Sequence, residues 1–124
     1  MILYVVRHGQ TQYNVDKRFQ GQIDVPLNDV GKKQVMELSK KLSNINLDLI
    51  ISSPLLRAVD TAKAIQKNNK VPIIINNDLK ERSFGEFEGL KDLTEYDCDI
   101  NKLLDYNINY SFHNVEPIQT LYKR

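Results

Sequence analysis

The chain has 124 residues and a formal net charge of +1, enough for one domain around one core. Hydrophobic residues at 41% and charged residues at 27% are the balance of a soluble globular protein, and so small a net charge gives no bulk attraction to nucleic acid or to a membrane surface. The single cysteine, Cys98, has no partner for an internal disulfide, which fits a reducing cytoplasm. Its neighbours Asp97 and Asp99 disfavour the thiolate. No apolar stretch is long enough for a membrane span or a signal segment. No repeat or low-complexity block is present.

Residues 2–6 are an apolar run, Ile2 to Val6, that turns abruptly into Arg7-His8-Gly9. The run reads as a buried strand. The carboxyl end of such a strand is where open α/β sheets bind ligands, and histidine carries charge or a phosphoryl group near neutral pH. The plainer alternative is a strand end with two polar residues in solvent. Residues 12–28 are polar without a sustained period and hold Asn14, Lys17, Arg18, Gln20, Gly21 and Asp24. A loop of that length beside a strand end reads as functional. Asn28 then caps a predicted helix with Val35, Leu38 and Leu42 at helical spacing. Its lysines, 32, 33, 40 and 41, form solvated faces.

Residues 47–51 read as a second buried strand, followed by Ser52-Ser53-Pro54. Ser53 suits an N-cap and Pro54 the first helical position. The helix that follows places Leu55, Ala58, Val59, Ala62 and Ile65 on one side and Arg57 in its first turn. A helix amino end favours anions, so Arg57 there calls for a bound anion, unless it is a surface arginine paired with Asp60. Residues 71–75 read as a third strand, entered through Pro72. This alternation of strands and helices predicts an α/β domain with a mostly parallel sheet. Asn76-Asn77-Asp78 makes a turn. Residues 79–89 form a structured loop with Glu81, Glu86 and Glu88 as acid–base candidates and Phe84 and Phe87 as anchors. A short helix over 99–106 and another from 116, with Pro117 in its first turn, complete the reading.

Four segments in this order resemble one family. Arg7-His8-Gly9-Gln10-Thr11 with Asn14, Gln20 to Asn28 with Gly31, Ser52 to Ala62 around Arg57, and Leu79 to Gly89 around Glu81 are similar to the motifs of the histidine phosphatase superfamily, the phosphoglycerate mutase-like proteins. The second segment resembles the bacterial phosphatase branch. The likeness is strongest over residues 1–89. It implies a three-layer phosphoglycerate mutase-like sandwich in one domain, 1–124. It also implies a phosphomonoester hydrolase working through a phosphohistidine, with no metal or other cofactor and a small-molecule phosphate ester as substrate. His8 would be the nucleophile and Glu81 the proton donor. Arg7, Asn14, Gln20, Gly21 and Arg57 would bind the phosphate, and Gly9 would let the backbone pass close to it.

These residue types suit that chemistry independently of the family. Phosphoryl transfer to nitrogen needs an imidazole held in one tautomer and cations spread over the phosphoryl oxygens. Two arginines supply those cations in a bidentate fork that lysine lacks. A carboxyl group that protonates the leaving alkoxide needs a raised pKa, from burial or from the charge of the bound phosphate. The sequence departs from the family in one respect. The family has a second catalytic histidine in a His-Gly pair after a later strand, whereas this sequence has only His8 and His113, and Asn114 follows His113. His113 therefore reads as a loop histidine and the chain as C-terminally truncated. The edge beside residues 2–6 would then lie open and favour association, including a homodimer. A mutase-type phosphotransferase and a non-catalytic phosphate-binding remnant are the alternative functions. Substrates range from sugar phosphates to a cobalamin-precursor phosphate.

Overall fold

The computed structural model describes residues 1–94, 100–105, 107 and 111–124. In chain order the helices and strands are α1 (Gln12–Val15), α2 (Asp29–Leu42), β1 (Ile50–Ser52), α3 (Leu56–Asn69), β2 (Ile73–Ile75), α4 (Ile100–Leu104) and α5 (Ile118–Lys123). Single 3-10 turns at Asn77–Leu79 and Gly85–Phe87 interrupt the loop after β2. Cys98 and both ends of the helix expected over 99–106 lie outside the described residues.

β1 and β2 pair in parallel, with Ile50 opposite Ile73 and Ser52 opposite Ile75, and α3 is the crossover between them. α2 begins where expected, with the Asn28 side chain accepting from the Gly31 N–H at 2.8 Å. Its buried row is Gly31, Val35 and Ser39, spaced four apart, and Leu38 is only half-buried. Small residues at both ends of that row let α2 lie close to its neighbours. Ser39 Oγ donates to the Ala64 carbonyl of α3 and accepts from Asn68 Nδ2 at 2.9 Å, so a polar contact joins the two helices.

α3 starts two residues later than the Ser53–Pro54 reading. Leu55 is its N-cap, without a side-chain hydrogen bond, and Ser53 Oγ accepts from the Leu55 N–H at 3.3 Å. The first free N–H of the helix, at Leu56, is instead taken by the Asp24 carboxylate at 2.6 Å. A side chain from the loop before α2 thus places a negative charge at this helix end.

The expected first strand is corrected. Residues 2–6 are assigned to no strand, with Ile2 79% and Val5 88% exposed. An apolar run is buried only where another element lies across it, and no described strand pairs with it. Ile51 and Ile74 on the sheet are also about half exposed. The closed core lies elsewhere. Phe87, Leu93, Leu103 and Val115 are buried together, with Phe19, Phe84, Leu90 and Phe112 packed around them.

Candidate active site

Residues 7–11 leave the open run and enter the packed part of the molecule. Gly9 is buried. A Cβ at position 9 would lie 2.6 Å from the Gly31 carbonyl oxygen and 2.9 Å from Val35 Cγ1, and one at position 31 would lie 2.1 Å from the Gln10 carbonyl oxygen. Gly9 therefore serves a main-chain contact with the start of α2. The Gly9 N–H donates to Thr61 Oγ1 at 3.4 Å, and that hydroxyl donates to the Arg57 carbonyl at 2.8 Å. Thr61 is 4% exposed and joins the histidine segment to the arginine helix.

His8 is partly buried. Its Nδ1 lies 2.7 Å from the Gly9 carbonyl oxygen. A carbonyl can only accept, so Nδ1 carries the hydrogen and the lone pair lies on Nε2. The imidazole is held below the ordinary value of 6.5, chiefly by burial. The Gly9 hydrogen bond opposes this, the positive charges of Arg57 and Arg7 add to it, and the negative charge of Glu81 opposes it. The result favours a neutral imidazole with a fixed tautomer, the nucleophilic form of the residue.

Arg57, 2% exposed, does not pair with Asp60 as a surface arginine would. It donates through Nη2 to the Gly21 carbonyl at 2.7 Å and through Nη1 to the Ile23 carbonyl at 2.9 Å. A guanidinium has five N–H donors, so these two bonds orient the group without exhausting it. Burial lowers its pKa, and the charges of Glu81, Asp24 and Glu88 raise it. Arg7 is exposed and acts on His8 through its charge. The structure therefore brings His8, Arg7, Arg57 and Glu81 into one electrostatic neighbourhood.

The loop residues are held by one another. Thr11 is fully buried. Its N–H donates to Asn14 Oδ1 at 3.0 Å, and its Oγ1 accepts from the Asn14 N–H at 3.2 Å. The Thr11 hydroxyl hydrogen faces two acceptors, Gln20 Oε1 at 2.8 Å and Asn14 Oδ1 at 3.1 Å. With both amide oxygens turned toward Thr11, the NH₂ groups of Asn14 and Gln20 are the ends suited to an anion. Gly21 has a left-handed φ of 49°, and a Cβ there would meet Glu88 Oε1 at 2.1 Å.

The acid loop departs from the sequence reading in the division of labour among its glutamates. Glu81 is exposed, and its Oε1 accepts the N–H of Arg82 at 2.9 Å. The burial expected of it is absent. Glu88 is structural. Its Oε1 accepts from the Gln22 N–H at 3.0 Å, the Phe84 N–H at 2.9 Å and Ser83 Oγ at 3.2 Å, which ties the Gln20–Asp24 loop to the acid loop. Glu86 faces His113, with Oε2 3.1 Å from its Nδ1. His113 sits in a turn with a φ of 47°, beside Phe87. Thr61 had a usable signal in the sequence, its place one turn after Arg57. Asp24 had none, because its partner is a backbone N–H 32 residues away, and the tie of Glu88 to the Gln22 N–H, 66 residues away, had none either.

No group of three or more His, Cys, Asp or Glu side chains suited to a metal ion is found among the described residues. None of the described helices is long and apolar enough to cross a membrane.

Comparison with known proteins shows the family. The uncharacterized phosphatase PhoE of Bacillus subtilis is 40% identical over 86 residues, covering 69% of this chain and 45% of that protein. Fructose-2,6-bisphosphatase TIGAR of Xenopus tropicalis is 46% identical over 92 residues, covering 70% of this chain and 34% of that protein. The chain thus spans less than half the length of these curated relatives. Among solved structures, a mycobacterial glucosyl-3-phosphoglycerate phosphatase in complex with VO3 superposes with a TM-score of 0.83 at 28% identity, over 94% of this chain and 56% of that one. The α-ribazole phosphatase of Shigella flexneri gives 0.82 at 30% identity, over 95% and 60%. These structures share the phosphoglycerate mutase-like α/β fold with this chain. The model of the histidine phosphatase superfamily (branch 1) matches residues 3–124, and on its motifs, fold and relatives the chain belongs to that superfamily.

Proposed function

We propose that this chain is a phosphomonoesterase that works through phospho-His8. The observation that carries the reading is the Nδ1 contact of His8 with the Gly9 carbonyl, which leaves Nε2 as the nucleophile beside two arginines. Nε2 attacks phosphorus, and the bond between phosphorus and the ester oxygen breaks with its electron pair going to oxygen. Glu81 gives its proton to that oxygen, so the alcohol leaves neutral. Water then attacks phospho-His8 and yields a proton to the Glu81 carboxylate. The N–P bond breaks with its pair returning to Nε2, and phosphate departs. Arg7, Arg57 and the amide NH₂ groups of Asn14 and Gln20 hold the phosphoryl oxygens as charge moves onto them. The arginines do this charge work in place of a metal.

Three of the named relatives carry names for phosphatases of fructose-2,6-bisphosphate, glucosyl-3-phosphoglycerate and an α-ribazole phosphate, and a small phosphate monoester of that kind is the proposed substrate class. The open apolar run next to the nucleophile favours a second reading, a chain that grips phosphate without turning it over. Trapping separates the two. The protein is mixed with a phosphate ester and quenched in base, and peptides are searched for acid-labile phosphohistidine. The expected result is an adduct at His8 and turnover that His8→Ala abolishes. A folded sample with neither adduct nor turnover supports the binding reading. Unchanged hydrolysis in His8→Ala removes the covalent mechanism.

A further inference from the structure

Residues 80–84, which carry Glu81, have no helix or strand of their own. Their position is set from outside, by the two ends of the segment that contains α5. Arg124 Nη1 donates to the carbonyls of Asp78 and Lys80, the latter at 2.8 Å. Its Nη2 donates to the carbonyl of Glu81 at 3.3 Å. The same guanidinium grips Glu116 with both arms, Nε to Oε1 at 2.8 Å and Nη2 to Oε2 at 3.0 Å. Glu116 Oε2 also accepts the Ser83 N–H at 3.0 Å. The Glu116 N–H donates to the Ser83 carbonyl at 2.9 Å, and its carbonyl accepts from Arg82 Nε at 2.7 Å.

The pair is well suited to hold a backbone. Its side chains are only 18% and 13% exposed, so solvent screens it little. The Arg124 hydrogen bond chiefly holds Glu116 below the usual carboxylate range, and Glu116 raises Arg124 in turn. The acceptors around Arg124 are three carbonyls and a carboxylate in different directions. A planar fork of five donors meets that demand, and the compact ammonium of lysine does not. Glu81 itself folds back onto its own backbone through the Arg82 N–H. Whatever fixes the backbone at 81 therefore fixes the carboxyl group, and with it the distance to His8 and Arg57.

We propose that Glu116 and Arg124 are positioning residues for Glu81, a clamp that sets where the proton is delivered. The proposal rests on the reading of Glu81 as proton donor. Its test compares wild type, Arg124→Lys, Glu116→Gln, Glu81→Gln and the Glu81→Gln/Arg124→Lys double variant on two esters. p-Nitrophenyl phosphate releases a good leaving group that needs no proton, and glycerol phosphate releases a poor one that does. The quantity read is kcat/KM, which reports the steps up to phosphorylation of His8. Both clamp variants should lose about 10-fold or more on glycerol phosphate, short of the ~10²–10⁴-fold of a missing general acid, and change little on the nitrophenyl ester. The double variant should lose no more than Glu81→Gln alone, since Arg124 acts through Glu81.

Hydrogen exchange gives a readout that does not depend on turnover. The amides of residues 82 and 83 should exchange faster in both variants, while those of α2 and α3 stay as in wild type. Equal losses on the two esters, additive losses in the double variant, or unchanged exchange at 82–83 would overturn the clamp. Absence of turnover in wild type would instead sink the enzymatic reading, and exchange alone would then decide whether the clamp exists. Glu116→Gln keeps the shape of the side chain and serves if the arginine variant does not fold.

Discussion

Residues 2–6 place five apolar side chains in succession and leave all of them exposed, whereas the segment around Phe87 has no regular apolar period and buries Phe87 completely. The two regions flank the same site, one leading to His8 and the other carrying Glu81. Composition alone would have ranked them the other way round. Burial of apolar surface needs a second surface to meet it, and the first region meets one only in part, with Val6 at 38% exposure and Val5 at 88%. The second region meets its partners through irregular backbone. Glu88, Arg82 and the Glu116–Arg124 pair satisfy its polar groups, which lets Phe87 sit against Phe112 and Phe84 against Phe19.

The comparison is broken or sharpened most directly by truncating one side chain from each region. Phe87→Ala should destabilise the fold by about 3–5 kcal/mol, as for a large buried aromatic. Val5→Ala, at 88% exposure, should stay within about 0.5 kcal/mol. Urea unfolding of the two variants measures both numbers, and similar losses would mean that the run is covered in solution. Next in size is Arg57→Ala, on the bridge between the regions. On the proposed role of Arg57 in holding phosphate, its loss should lower kcat/KM by about 10²–10³-fold, and Arg57→Lys should recover little because the fork is lost. Steady-state rates on a small phosphate ester measure this, with phosphate binding as an independent check.

The smallest effect is the pH dependence. Burial and the two arginines depress the pKa of His8, and protonation of Nε2 blocks attack. Activity should therefore hold as pH falls to 6.5 and drop only below it, by about tenfold per unit once His8 is mostly protonated. A pH profile of kcat/KM locates that limb. The neutralising variant Arg57→Gln should move the limb upward, because it removes a positive charge that opposes protonation of the imidazole. A limb that stays in place would mean that the phosphate site and the histidine are not coupled.

Much of the fold was legible where local chemistry decides it. The Asn28 cap, the body of α2 and the parallel pairing of β1 with β2 follow from spacing and cap residues, and the helix before Arg124 was expected too, though Pro117 is its N-cap and not part of its first turn. Three features were not legible. Residues 2–6 look like a strand because strand propensity is local, while pairing is not. Ser53 looks like the cap of α3 because the true acceptor, Asp24, lies 32 residues away. Arg57 could be a surface residue by its i+3 aspartate, and its burial depends on the carbonyls of a distant loop. The candidate site residues were named from the sequence as types in a motif. The supports Glu88, Glu116 and Arg124 were not legible as such, because each has a partner far along the chain, whereas Thr61 carried a local signal one turn after Arg57.

The contact between Gly9 and Gly31 bears on how such a site tolerates drift. The seat of the His8 segment is gauged chiefly by main chain against main chain, with the Val35 side chain in the gap. Hydrophobic replacements in the surrounding core can accumulate and alter stability while that gauge stays the same. A single methyl group at position 9 or 31, by contrast, would push the histidine segment off α2 at once. The evolutionary freedom of this region is therefore uneven: wide for volume in the core, and nearly nil at two positions whose content is the absence of a side chain.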